Sequence, residues 1–225
     1  LFPIGWIVFS SILLYRLAVD TGKFEVIKDS VGTLSDDRRL QALFIAFSFG
    51  AFVEGAAGFG APVAVAAAML AGLGFSPFYA AGICLLANTA PVAFGSIGTP
   101  IVTLAGITGM PAAPLSAMVG RICALVSVIV PTYLVVVMAG ARGALEVWPA
   151  IVACGVVFAA VQFAVSNFIG PELTDILSSL ASIGAMVVVM KAWHPKTIFR
   201  LEGEAPAVAG AHRRHSGGEI FKAWT

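Results

Sequence analysis

Long apolar stretches joined by short polar segments limit what this chain can fold into more than any other feature of its sequence. Its 225 residues are 59% hydrophobic and 11% charged, with a mean hydropathy of +0.97. A soluble globular domain carries about 25% charged residues. Because about 20 consecutive apolar residues form a helix long enough to cross a bilayer, the sequence predicts an all-α polytopic membrane protein. The net charge of +1 gives no indication of a nucleic-acid partner.

Apolar and polar stretches alternate in a simple order along the chain. Residues 1–19 form an apolar stretch that we interpret as the remnant of a transmembrane helix. Because the sequence does not open on Met, we expect a fragment of a longer protein. Residues 20–39 and residues 191–225 are polar and contain most of the Lys and Arg. A transmembrane region lies between them, with apolar units at 40–73, 77–109, 115–139, 147–169 and 175–190.

The distribution of basic residues predicts the topology. The positive-inside rule places both polar segments, 20–39 and 191–225, in the cytoplasm as loops. The region between them must then cross the bilayer an even number of times, but it contains an odd number of apolar units. The arms of the 40–73 unit, about 14 and 10 residues, are too short for a core of about 30 Å. We therefore expect a re-entrant hairpin at 40–73, and we expect Arg142 on the outside as an exception.

Glycine and proline interrupt the first two apolar units in a similar way. The segment E-G-A-A-G-F-G-A-P-V at 54–63 and the segment A-P-V-A-F-G-S-I-G-T-P at 90–100 both contain Gly, a small residue, Pro and a β-branched residue in succession. Glycine permits an unusual backbone, and proline is favoured at the first position of a helix. The pattern predicts a new half-helix after each break, so that the 77–109 unit is a discontinuous helix.

Two helix starts that face one point would form an anion site. A helix N-terminus offers N–H donors and partial positive charge, which suit a carboxylate. The alternative is a pair of ordinary kinks with close packing of small residues. If the site exists, its candidate binding residues are the break glycines and the nearby polar side chains, namely Gly58, Gly60, Asn88, Thr89, Ser96, Gly98 and Thr99.

Two charged residues inside the apolar units are further candidates. Glu54 is the one acid that lies clearly within an apolar unit, where the charged form is costly, so it is the candidate for proton coupling. The alternative is a neutral Glu54 that is hydrogen-bonded to the hairpin backbone. Arg121 could pair with a substrate carboxylate or with Glu54, or its side chain could extend to the membrane interface. Cys84, Cys123 and Cys154 lie far apart, so we expect no metal and no other cofactor.

Three long strings of residues resemble the bacterial L-lactate permease family, which includes glycolate permeases. They are F-V-E-G-A-A-G-F-G-A-P-V-A, G-L-G-F-S-P-F-Y-A-A-G-I-C-L-L-A-N-T-A-P-V-A-F-G-S-I-G-T-P and S-N-F-I-G-P-E-L. The resemblance runs from about Arg38 to Leu180 and implies a multi-pass carrier of the bacterial cytoplasmic (inner) membrane. It also implies that this chain holds roughly the first half of its parent. By matching motif, the resemblance favours Glu54, Gly55, Gly58, Gly60, Asn88, Thr89, Gly95, Gly98 and Thr99 as functional positions.

Together these features predict a proton-coupled symporter that imports L-lactate or related 2-hydroxy monocarboxylates such as glycolate. Its partners would be the substrate, protons, the lipid bilayer and the remaining half of the parent chain. An uncoupled small-anion channel and a fragment that serves only as a scaffold are the alternatives. A membrane-embedded enzyme with Glu54 as base is disfavoured, because no nucleophile–base pair, metal cluster or phosphate loop accompanies this residue.

Overall fold

The computed structural model describes Leu13, Leu17 and residues 20–22, 35–58 and 60–201. This part of the chain forms a helical bundle without strands. Its main helices are α1 Arg38–Ala56, α2 Ala61–Gly72, α3 Pro77–Ala87, α4 Gly95–Thr108, α5 Ala112–Glu146, α6 Trp148–Phe168 and α7 Thr174–Ala192. Most of the predicted remnant at 1–19, and most of the predicted loops at 20–39 and 191–225, lie outside the described residues.

The helix lengths fit a membrane-embedded bundle. Within the described residues, α1, α5, α6 and α7 are each long and apolar enough to cross a membrane. A fifth candidate span consists of α3 with Val92–Thr108, a pair of helices bent by 70° at a short break. The predicted all-α polytopic fold with a discontinuous helix is thereby confirmed.

The first apolar unit differs in length from the sequence estimate. The helix α1 has 19 residues and includes a π-helical segment at Leu43–Phe49, whereas α2 is a shorter apolar helix of 12 residues. The sequence suggested that the first arm of this unit is too short to cross the membrane. The helix α1 is long enough to cross it. The re-entrant hairpin at 40–73 stays a prediction.

Small and polar side chains hold α5 against α6. The Ser116 hydroxyl donates to the Ser166 carbonyl at 2.8 Å, and the Ser127 hydroxyl donates to Gln162 Oε1 at 2.7 Å. A Cβ atom added to Gly155 would come within 3.3 Å of the Ser127 carbonyl oxygen, so the helix backbones approach closely here. Close approach through small residues is typical of packing between membrane helices.

A buried arginine joins three segments at one end of the bundle. Arg39 is 1% exposed and donates to Asp37 at 2.7 and 3.0 Å. It also donates to the Gly143 carbonyl at 3.0 Å, to Glu146 at 2.8 Å and to the Thr197 carbonyl at 2.9 Å. We call this group of contacts the Arg39 cluster. It places the start of α1, the end of α5 and the segment after α7 at the same end of the molecule.

The Arg39 cluster corrects the prediction for Arg142. This residue is close in sequence to Gly143 and Glu146, both of which bind Arg39. The connection between α5 and α6 therefore lies at the same end as residues 37–39 and 197–199, and the expected exception to the positive-inside rule disappears. The expectation for Arg142 also disagreed with the predicted topology, because a hairpin at 40–73 followed by crossings at 77–109 and 115–139 returns the chain to the cytoplasm before this residue.

Candidate functional site

The two breaks predicted from Gly and Pro lie against each other. The first break, residues 57–60, separates α1 from α2, and the second break, residues 88–98, separates α3 from the regular part of α4. Gly58 has a left-handed backbone with φ of 64°, and a Cβ atom added there would come within 2.7 Å of Ser96 Cβ. The backbone of the first break therefore touches the second break directly.

The second break has a strained backbone. Ser96, Ile97 and Gly98 follow one another in the left-handed region, with φ of 48°, 57° and 71°. This conformation is unfavourable for a β-branched residue such as Ile97, and strain of this kind clusters at functional sites. A Cβ atom added to Gly98 would come within 2.8 Å of the Pro171 carbonyl, so the turn between α6 and α7 also contacts the break.

Glu54 lies beside the second break. It is 4% exposed, and its carboxyl group lies so close to Gly95 that a methyl group on Gly95 would overlap Oε1. The side chain of Asn88 lies near this carboxyl group. The second carboxyl oxygen, Oε2, has no hydrogen-bond partner. The Glu54 carboxyl group thus lies between the Gly95 backbone and the Asn88 side chain. The alternative of a neutral Glu54 that is hydrogen-bonded to the hairpin backbone stays a prediction.

A second buried carboxyl group lies nearby. Asp175, in the first turn of α7, is 1% exposed, and neither of its oxygens has a hydrogen-bond partner. A Cβ atom added to Gly55 would come within 2.9 Å of Asp175 Cβ, so this side chain packs against α1 directly after Glu54. The sequence had suggested that Glu54 is the one acid inside the apolar region, but Asp175 is a second buried acid there.

Asp175 begins a buried polar stripe that the sequence pattern could have revealed. Ser178, Ser179 and Ser182 are all buried, and they follow Asp175 at spacings of three, four and seven residues. This spacing places the four side chains on one face of α7. The stripe ends where the Ser182 hydroxyl lies 2.8 Å from that of Ser48 in α1. A polar stripe on one face of an apolar helix indicates an interior, functional face.

The predicted threonines occupy exposed positions near the breaks. The Thr99 hydroxyl donates to the Ser96 carbonyl at 2.5 Å, and the Thr89 hydroxyl donates to the Leu86 carbonyl at 2.9 Å. Gly60 is also exposed, with a left-handed φ of 85°, and it immediately precedes α2. These groups remain accessible at the start or end of a half-helix, and their roles in binding stay predictions.

Arg121 does not pair with Glu54. Its guanidinium is exposed and donates from Nε to Asn167 Oδ1 at 3.0 Å, at the α5–α6 seam. The structure therefore gives Arg121 a partner that the sequence analysis did not consider. A contact with substrate stays a prediction for this residue.

The site lies far from the Arg39 cluster. Glu54 follows Arg39 by 15 residues in α1, which corresponds to about 22 Å of helix. Asp175 lies at the start of α7, whereas Thr197 of the Arg39 cluster follows the end of that helix. The two breaks and both carboxyl groups therefore lie toward the opposite end of the bundle.

These features define a multi-pass membrane protein with interrupted helices that meet beside buried carboxyl groups, an arrangement typical of secondary transporters. The profile of the L-lactate permease family matches residues 1–225, and the chain belongs to this family. The resemblance found in the three sequence strings is confirmed.

Individual relatives agree with this assignment. An L-lactate permease of Bacillus subtilis is 58% identical over 233 residues, which cover 100% of this chain and 41% of the relative. An L-lactate permease of Escherichia coli is 46% identical, with 100% of this chain and 41% of the relative covered. The glycolate permease of Escherichia coli is 47% identical, with 100% and 42% covered. No solved structure matches the chain.

The chain spans about two-fifths of the length of these relatives. Their names point to a transport protein rather than an enzyme.

Proposed function

We propose that this chain forms part of a proton-coupled secondary transporter that imports L-lactate or related 2-hydroxy monocarboxylates, such as glycolate, across the bacterial cytoplasmic membrane. The observation that carries the proposal is the contact between two interrupted helices beside the buried Glu54. The names of the relatives supply the substrate class. Because the chain covers only part of those relatives, we expect the remaining part of the parent protein to complete the site.

The breaks suit the anionic end of the substrate. A 2-hydroxy monocarboxylate presents a carboxylate and an adjacent hydroxyl group. The starts of α2 and of the regular part of α4 offer N–H donors and partial positive charge to a carboxylate. The exposed hydroxyl groups of Thr89 and Thr99 are suited to the substrate hydroxyl. Lactate and glycolate differ by one methyl group, worth about 1 kcal/mol in an apolar pocket.

Glu54 supplies the coupling. Moving a charge through hydrocarbon is costly, so a carrier that binds an anion together with a proton lowers this cost. With Glu54 protonated and the anion bound, the loaded site carries less charge than with the anion alone. The doubly loaded form then changes conformation readily, whereas the singly loaded form does not, and this difference couples the two fluxes.

Uptake by the full-length parent protein tests the proposal. Cells or vesicles that contain it should accumulate labelled L-lactate or glycolate against a concentration gradient, and a proton uncoupler should abolish the accumulation. An uncoupled channel would equilibrate the substrate without accumulation. No uptake of either acid would overturn the proposed function.

Replacement of the coupling residue separates a carrier from a scaffold. Glu54→Gln should abolish pH-driven accumulation, because the amide cannot bind the proton. The control is Glu172→Gln, the same change at an exposed position in the α6–α7 turn, which should transport normally. Unchanged accumulation by Glu54→Gln would remove this residue from the mechanism and favour a scaffold role for this part of the protein.

A further inference from the structure

We propose that Asp175 and Glu54 form one two-carboxyl proton site, so that the proton exchanged during transport belongs to the pair and not to Glu54 alone. This inference rests on the proposed proton-coupled transport. It assigns a role to Asp175, which lies in α7, whereas Glu54 lies in α1. Its basis is the contact between the first turn of α7 and the end of α1, where Asp175 packs against Gly55.

The two carboxyl groups lie in one buried region. Asp175 Cβ packs against Gly55, the residue next to Glu54, and both acidic residues are almost completely removed from solvent, at 4% exposure for Glu54 and 1% for Asp175. Like charges that are buried together cannot both remain ionised without a large cost, and a shared proton is the usual solution. The pair therefore binds protons as a coupled unit.

Among the residues that the structure describes, the groups around the pair provide no compensating positive charge. The polar side chains nearby are neutral groups: Asn88 lies near Glu54, and Gln162 of α6 and Cys123 of α5 lie near Asp175. Gln162 is itself held by Ser127 at 2.7 Å and by the Ala90 carbonyl at 3.4 Å. The helix α4 contributes Gly95 and the rest of a segment without charged residues.

Two described arginines on helices around the pair, Arg121 of α5 and Arg39 of α1, have other partners. Arg121 donates to Asn167, and Arg39 binds Asp37 and Glu146 at the opposite end of the bundle. The unpartnered oxygens, both on Asp175 and one on Glu54, are thus left for a ligand that carries positive charge.

A proton suits this group better than a metal cation. Hard metal cations in proteins take about six or more oxygen ligands. Two carboxyl groups and the free amide oxygen of Asn88 supply fewer, whereas a proton needs only the two carboxyl groups. In each cycle the pair would accept one proton from one side and release it to the other, and no covalent bond to substrate forms.

Transport by full-length variants in liposomes tests the role of Asp175. Under an imposed gradient of one pH unit, Asp175→Asn should lose an accumulation of up to about tenfold, the factor that coupling to one proton provides per pH unit. Exchange of labelled for unlabelled L-lactate, which needs no net proton movement, should persist. Glu172→Gln should behave as the wild type in both assays. Loss of exchange together with accumulation would overturn the proton role and indicate a structural one.

Infrared titration of the purified full-length protein tests the pair without any transport. The carbonyl stretch of protonated carboxyl groups should show two coupled steps with pH in the wild type and a single step in both Asp175→Asn and Glu54→Gln. Because Glu54→Gln retains Asp175, the test survives if Asp175→Asn fails to fold. A curve that neither variant alters relative to the wild type would overturn the proposal.

The two proposals fail in different ways. A wild-type protein that takes up neither acid contradicts the proposed function, while a two-step titration still supports the carboxyl pair. Normal proton-driven accumulation by Asp175→Asn leaves the proposed function intact and overturns the pair. Accumulation that follows a sodium gradient and ignores the pH gradient would overturn both the proton site and the proton coupling in the proposed function.

Discussion

At the scale of single residues, the glycines of the two breaks serve different purposes. Gly58 and Gly98 have a left-handed backbone and also touch another segment. A side chain at either position would adopt an unfavourable backbone conformation and would overlap the neighbouring segment. Gly95 has an ordinary extended backbone, with φ of −60° and ψ of 160°, and is required only because the Glu54 carboxyl group lies against it. A substitution of Gly95 therefore tests the position of Glu54 without requiring a change in backbone conformation.

We expect Gly95→Ala to impair transport by displacing Glu54. The added methyl group would overlap Oε1, and overpacking of this kind costs about 1–3 kcal/mol. Gly106→Ala is the matched control, because it lies in the same helix, α4, with nothing within 4 Å of an added Cβ. Uptake rate and melting temperature in detergent should fall for the first variant and stay the same or rise for the second. Equal behaviour would show that the Glu54 carboxyl group is not held at this position.

The two carboxyl residues differ in how far the sequence reveals them. Glu54 is conspicuous because it lies between long apolar arms, and its prediction as a site residue needed only the hydropathy pattern. Asp175 opens an apolar stretch, where an acid is common because it complements the helix dipole. Its burial depends on the contact with Gly55 of α1, and contacts between distant segments cannot be read from local sequence.

At the scale of helices, the breaks were predictable and their internal geometry was not. Pro62 and Pro100 mark new helix starts, and glycines before them mark the interruptions, so residue types alone located both breaks. The left-handed conformation of Ile97 could not be expected, because β-branched residues avoid it. Tertiary contacts of the neighbouring Ser96 and Gly98 hold the turn in this conformation against local preference.

Ile97→Gly should make the protein more stable. Glycine adopts the left-handed conformation readily, so about 1 kcal/mol of strain should be relieved. The control is Val102→Gly in the regular part of α4, where glycine should cost about 1 kcal/mol. The two side chains have similar exposure, 53% and 50%, so the difference reports on backbone conformation. Melting temperatures that fall equally for both variants would contradict the strained geometry.

At the scale of the whole molecule, the Arg39 cluster shows how local reading of charge can mislead. The sequence indicated that basic residues at 20–39 and 191–225 lie on one side of the membrane. It could not indicate that Arg39 is buried and binds Gly143 and Glu146, more than 100 residues away. These contacts add the α5–α6 connection to the same side. They also leave the α6–α7 turn, with Glu172, at the opposite end, since α6 and α7 are each long enough to cross.

Cysteine labelling of the full-length protein should reveal this arrangement. Single cysteines replace Arg142, Lys196 or Glu172, which are all exposed, in a background where Cys84, Cys123 and Cys154 are serine. A membrane-impermeant thiol reagent should label the first two positions in inside-out vesicles and not in intact cells. The third should show the reverse, because α6 and α7 each separate it from the Arg39 cluster by one crossing. Labelling of positions 142 and 196 from opposite sides would mean that the Arg39 contacts do not form in the membrane. It would also remove the reason for placing the two breaks and the carboxyl pair toward the outer end of the bundle.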